Sequence, residues 1–179
     1  MKLQLCACFA AFLAAGSLAQ AACPAATGVD IYPTANVLPE NLLRVYVYYP
    51  RPMSADAGLQ HVRLLNGDGV ALAGVFLTNR ADLWSPDRRR LTLLLDPGRV
   101  KTGLIANENL GRALVAGGSY ILEVSGSALD TTGCPLGKAT RHSFAVENAD
   151  TEPPDPARWT IFTPRAHGTD TLRVVLGSA

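Results

Sequence analysis

NLLRVYVYYPRPMS, residues 41–54, decides the fold. Leu43, Val45, Val47 and Tyr49 alternate with Arg44, Tyr46 and Tyr48. Period-two alternation places the first set in a core and the second toward solvent. Pro50 and Pro52 then remove two backbone donors, so the strand has to leave its sheet there. A half-buried strand that ends this abruptly reads as the opening of a small β-sandwich.

Further strands surround it. Val29 to Tyr32 reads as a short edge strand, and Leu59 to Leu65 as a strand with Val62 and Leu64 opposite His61 and Arg63. Asn66-Gly67-Asp68-Gly69 is the strongest hairpin signal, read as a type I′ turn leading into a partner strand from Val70 to Leu77. After a turn at Ser85-Pro86-Asp87, Leu91, Leu93 and Leu95 share one face of a strand from Arg89 to Leu95, which Asp96-Pro97-Gly98 breaks. Arg99 to Gly118 is a long loop with a helical turn. Ser119 to Ser125 and Ala139 to Val146 supply the last strands, with a turn around Gly133 between them. Short strands joined by turns, with no amphipathic helix, predict an all-β antiparallel sandwich.

Met1-Lys2, the apolar run Leu3 to Ala15 and the small-x-small site Ala19-Gln20-Ala21 form a secretory signal peptide. That run is too short to span a bilayer, which takes about 20 residues, so the mature chain has no transmembrane segment. The expected compartment is periplasmic or extracellular. Cleavage removes Cys6 and Cys8, leaving Cys23 and Cys134 in an oxidising compartment, where a disulfide is the default. Lipidation of Cys23 and two free thiols are the alternatives, although Gln20-Ala21-Ala22 lacks the large aliphatic residue that usually precedes a lipidated cysteine. Sixteen basic against fifteen acidic residues argue against nucleic acid, whose binding rests on neutralising many phosphates.

Glu147 to Pro156, acidic and with three prolines, is a stiff linker. The segment beyond this linker echoes the start of the domain. Ile161-Phe162 stands 130 residues after Ile31-Tyr32, and Leu172-Arg173-Val174 stands 129 after Leu43-Arg44-Val45. The chain is therefore expected to start a second copy of its domain, and residues 157–179 cannot bury a core alone.

No constellation for catalysis emerges. His61, His142 and His167 lack metal-ligand spacing, and no serine lies in a Gly-x-Ser-x-Gly elbow. His61 and His142 are expected on solvent-facing strand positions. Asn66 to Gly69 resembles part of a calcium loop, but the apolar residues after it supply no further oxygen ligands. The expectation is therefore no enzyme, no cofactor and no metal. Loops on a rigid sandwich carry recognition more often than strands, which makes residues 98–118 the candidate ligand-binding segment. Arg99, Lys101, Asn107, Asn109 and Arg112 give it hydrogen-bonding capacity. Trp84 is either an aromatic platform for a sugar or peptide, or a core edge beneath that loop.

Asn41 to Val45 leading to Pro52-Met53-Ser54 resembles the strand and Pro-Met-Ser signature of bacterial Ig-like domains of the S-layer type. Ser119 to Val124, the turn Asp130 to Leu136 and Ser143-Phe144-Ala145-Val146 come in the order of that family. Leu83 to Pro86 with Arg90 to Lys101 also resembles a subgroup of uncharacterised exported bacterial proteins. The resemblance implies an Ig-like sandwich outside the cytoplasm, with Met53 plugging one end, and implies no activity. The expected organisation is a signal peptide over 1–21, a lead-in over 22–40, an Ig-like β-sandwich over 41–147, a proline-rich linker over 148–158, and over 159–179 the first strand of a truncated second copy. The expected role is a non-catalytic spacer, assembly or interaction module at the cell envelope, with an envelope protein or polysaccharide as partner. The alternative is a glycan- or peptide-binding domain using the loop 98–118.

Overall fold

The computed structural model describes residues 22–26, 28–78, 82–153, 155–165, 168 and 171–176. The expected signal peptide and His167 lie outside the described residues. Among the described residues, ten strands run in the order β1 (Asp30–Tyr32), β2 (Val37–Pro39), β3 (Arg44–Tyr48), β4 (Val62–Asn66), β5 (Leu83–Trp84), β6 (Arg90–Leu94), β7 (Ser119–Val124), β8 (Thr140–Glu147), β9 (Thr160–Phe162) and β10 (Arg173–Val175). Two short helices, α1 (Pro97–Val100) and α2 (Ile105–Leu110), lie between β6 and β7. No helix among the described residues is long and apolar enough to cross a membrane.

Two four-stranded sheets make an all-β sandwich. One has the order β1-β3-β6-β5, and the other β2-β8-β7-β4, with β2 parallel to β8 and the other neighbours antiparallel. Ile31, Val45, Val47, Leu91 and Leu93 point inward from the first sheet, and Val62, Leu64, Tyr120, Leu122, Val124, Phe144 and Val146 from the second. Each such side chain, fully buried, contributes about 1.5–3 kcal/mol before entropy is counted. Met53, fully buried and bridged to Asp130, closes the end of the sandwich where Pro50 and Pro52 end the ladder of β3.

Several expectations need correction. Leu43 is 44% exposed, because the alternation begins one pair later, at Val45. Leu59–His61 is a 3-10 turn and not a strand. Gly58 has no Cβ to keep the Asp82 carboxylate away, and Leu59 N–H donates to Asp82 Oδ1 at 3.2 Å. The Asn66–Gly69 hairpin is present, but of its four residues only Gly69 has positive φ (79°). Gly69 N–H donates to Asn66 O, and Asn66 Oδ1 accepts from Asp68 and Val70 N–H. This is a four-residue turn closed by a left-handed glycine, not type I′. Residues 70–77 make no continuous strand: Ala71 bridges Leu65 of one sheet and Phe76 bridges Leu95 at the end of the other. The segment crosses between the sheets, bending at Gly74 (φ 61°). His142 has the same parity as Phe144 and Val146, so it faces inward, half-buried and stacked on the Phe144 ring at 5.8 Å.

Cys23 and Cys134 are joined by a disulfide, with Cα atoms 5.4 Å apart across a sequence separation of 111. Beyond β8, Asn41 clasps the linker: its Nδ2 donates to Asp150 O (2.6 Å), and Asp150 N–H donates back to Asn41 Oδ1 (3.0 Å). The last segment holds two strands rather than one. β9 and β10 pair antiparallel, Phe162 opposite Arg173, and every residue of both is exposed.

Candidate functional site: a tyrosine face on the first sheet

The loop 98–118 spends its polar groups on its own construction. Asp96 caps α1 by accepting from Gly98 N–H at 2.8 Å, as a short acidic side chain does at a helix start. Arg99 is buried, and its guanidinium donates to the carbonyls of Ala73, Gly74, Leu110, Gly111 and Arg112. One side chain thus fastens the crossover at 73–74 to the end of α2. Asn107 Nδ2 donates to Arg99 O (2.6 Å). Arg112 pairs with Glu40 (2.6 Å), whose other oxygen accepts from Ala116 N–H (3.3 Å). Lys101 and Asn109 remain exposed.

Trp84 is not part of that loop. It pairs with Leu91 near the start of β6, so its side chain turns inward and lies against Tyr49 with ring centroids 5.3 Å apart. From Leu91 to Pro97 the chain advances roughly 20 Å, which puts Trp84 and the loop at opposite ends of the sheet. The structure therefore does not bring the sequence candidates together: Trp84, Arg99, Asn107 and Arg112 serve the fold.

The outer face of the first sheet carries different chemistry. Asp30 of β1, Tyr48 of β3 and Arg90 of β6 form one cross-strand row, and Tyr32, Tyr46 and Thr92 form the next. Tyr32 and Tyr48 are 46% and 40% exposed and meet edge to face, with centroids 5.4 Å apart. Arg90 lies over the Tyr46 ring at 5.6 Å, and Arg44 donates to Tyr46 Oη at 3.3 Å. The two arginines steady Tyr46, Arg90 through cation–π attraction on the ring and Arg44 through a hydrogen bond to its hydroxyl. Asp30, Tyr32, Tyr46 and Tyr48 line a concavity of about 390 Å³. By contrast, two gaps beneath the sheets admit only about 10 Å³ each, the scale of a single water. The signal for this face was present in the sequence, since Arg44, Tyr46 and Tyr48 are the outward half of the opening alternation.

Elsewhere, carboxylates act as ties. Asp130 Oδ1 accepts from Thr132 N–H (2.8 Å), Thr132 Oγ1 (2.7 Å) and Cys134 N–H (2.9 Å), while Oδ2 meets Arg51 Nε at 2.6 Å. Burial pushes this carboxyl up, but those hydrogen bonds and the Arg51 charge together outweigh it and hold Asp130 below the usual carboxylate range. Glu123 stands between Arg63 and Arg141 on neighbouring strands, and their hydrogen bonds lower its pKa against the opposing effect of burial. No metal-sized group of three His, Cys, Asp or Glu side chains occurs among the described residues.

No protein-family model, curated protein or solved structure matches this chain.

Proposed function

We propose that this chain is an exported, Ig-like, non-catalytic module that serves as a spacer, assembly or interaction domain at the cell envelope. The observation that carries this reading is the tyrosine face. It sets exposed aromatic rings on a paired sheet, in a domain whose N-terminal lead-in is tied down by the Cys23–Cys134 bond. A disulfide favours an oxidising compartment. The sheet orders support the Ig-like assignment. With β1, β3, β4, β5, β6, β7 and β8 taken as strands A to G, they become A-B-E-D and G-F-C, and β2 adds in parallel beside G.

The reading of residues 159–176 as the start of a second copy has its own support. The segments that echo β1 and β3 pair with each other antiparallel, as β1 and β3 do. Tyr32 faces Tyr46, whereas Phe162 faces Arg173, the counterpart of Arg44; the shift is two residues, which keeps every side chain on its face.

Fractionation of cells producing the full chain tests the reading. The expected result is a protein found outside the cytosol, starting near Ala22, with two thiols alkylated only after reduction, and partly retained on sedimented envelopes. Recovery in the cytosol with free thiols would refute it.

A further inference from the structure

We propose that the tyrosine face of the first sheet is a binding site for an uncharged oligosaccharide, stacked on Tyr32 and Tyr48 and hydrogen-bonded by Asp30, Arg44 and Arg90. This deepens the reading of the chain as a non-catalytic interaction module and rests on it.

The chemistry of the face selects the ligand. Tyr32 and Tyr48 meet edge to face, so they offer aromatic surface at two orientations. An aromatic face is electron-rich and attracts the polarised C–H edges of a flat, partly apolar ring. Around those rings stand a carboxylate, Asp30, which accepts from hydroxyls, and two guanidinium groups, Arg44 and Arg90, which donate to hydroxyl and ring oxygens. A pyranose has this dual character, with an apolar C–H face and a hydroxyl rim. Asp30 supplies an acceptor and the arginines supply donors on one face, a mixed set that matches the hydroxyl rim of an uncharged sugar.

Size argues the same way. The rows Asp30-Tyr48-Arg90 and Tyr32-Tyr46-Thr92, extended to Arg44, cover roughly 10 Å by 14 Å at ordinary strand spacings, a width that a short glycan can cross. The depression lined by Asp30, Tyr32, Tyr46 and Tyr48, about 390 Å³, is open to solvent rather than enclosed, a shape on which a sugar ring can lie flat. The rings are also fixed in advance: Tyr46 is braced by both arginines, and all three tyrosines stand on paired strands. The backbone of the site is thus set before binding, and Tyr32 and Tyr48 steady each other through their edge-to-face contact.

The test uses the full, exported and processed protein, titrated calorimetrically with cellohexaose, xylohexaose, maltohexaose and chitohexaose, with amide chemical shifts followed in parallel. Saturable binding of at least one is expected, with shifts confined to β1, β3 and the start of β6. Tyr32→Ala and Tyr48→Ala should each weaken it at least about tenfold, and Tyr48→Phe, which keeps the ring, by no more than about threefold. Thermal melts of each variant separate loss of binding from loss of fold, and the shift map of the unsubstituted protein decides if a variant fails to fold. No saturable binding of any of the four overturns the site while leaving the non-catalytic module reading intact. Binding that survives both alanine variants but is lost in Lys101→Ala/Asn109→Ala places the site on the loop and overturns the proposal. Release of new reducing ends overturns the non-catalytic reading while the site stands.

Discussion

Removing the disulfide should act almost wholly on the unfolded chain, and its span sets the size of the effect. The bond closes a sequence separation of 111, for which chain-entropy arithmetic gives a ceiling of about 4.8 kcal/mol. On the native side little is lost. Cys134 N–H still donates to Asp130, and the segment 22–26 is exposed throughout. Native disulfides usually return about 2–4 kcal/mol of such a ceiling. A sandwich of about 120 residues has an unfolding entropy near 250 cal/mol/K, so that loss corresponds to about 8–16 °C in Tm. Cys23→Ser, Cys134→Ser and the double variant should therefore melt together, well below the oxidised protein, because either single change already breaks the bond. Urea titrations should also show a larger m-value for the variants, since the uncrosslinked unfolded chain expands further. A double variant within about 1 kcal/mol of the oxidised protein, with m unchanged, would refute the argument.

Other perturbations test the ties at the two ends of the sandwich. Met53→Ala empties a fully buried position and should cost about 3 kcal/mol in denaturant unfolding, with the native strand pattern retained by circular dichroism. Arg99→Ala strips the donors from five carbonyls and should destabilise by about 3 kcal/mol, with amide exchange rising at residues 73–74 and 110–112 first. Asp130 and Glu123 have lowered folded-state pKa values, so their contributions are fully present above the unfolded carboxylate value of about 4 and are lost as pH falls through the lower folded values. Stability measured by urea titration from pH 6 down to pH 2 should hold and then drop. Asp130→Asn should flatten the drop while lowering the neutral plateau by about 3 kcal/mol.

The sandwich is legible wherever one strand face is buried, because alternation then fixes both strand and register. Val45, Val47 and Tyr49, and Leu91, Leu93 and Leu95, take the faces that their spacing dictates. Legibility ends where tertiary contacts override local pattern. Residues 70–77 look like a strand by composition, yet they leave one sheet for the other. What holds that bend is Arg99, whose sequence neighbours give no hint of the carbonyls it reaches more than twenty residues away. The same limit governs the candidate site. Arg99, Asn107 and Arg112 look available in a glycine-rich loop because sequence shows the donors and not their acceptors. His142 reads as solvent-facing by chemical type, although its parity with Phe144 places it inside; register outweighs type.

The opening strand presents the mirror image of His142. Parity there picks out the core, and the outward set Arg44, Tyr46 and Tyr48 is what remains. Exposure of a single tyrosine needs no explanation, since much of any protein surface is apolar. Two tyrosines on adjacent strands, exposed at 46% and 40%, together with a third braced between two arginines, form a different object. Cross-strand aromatic pairing accounts for part of it, because an edge-to-face pair steadies the β1–β3 ladder by a few tenths to about 1 kcal/mol. Pairing alone does not call for Asp30 beside Tyr48, nor for one arginine over the Tyr46 ring and another on its hydroxyl, where threonine or lysine would keep the sheet soluble with less apolar surface in water. That excess over what strand pairing requires is the ground for the proposed site, and the Tyr32→Ala and Tyr48→Ala titrations decide whether a ligand accounts for it.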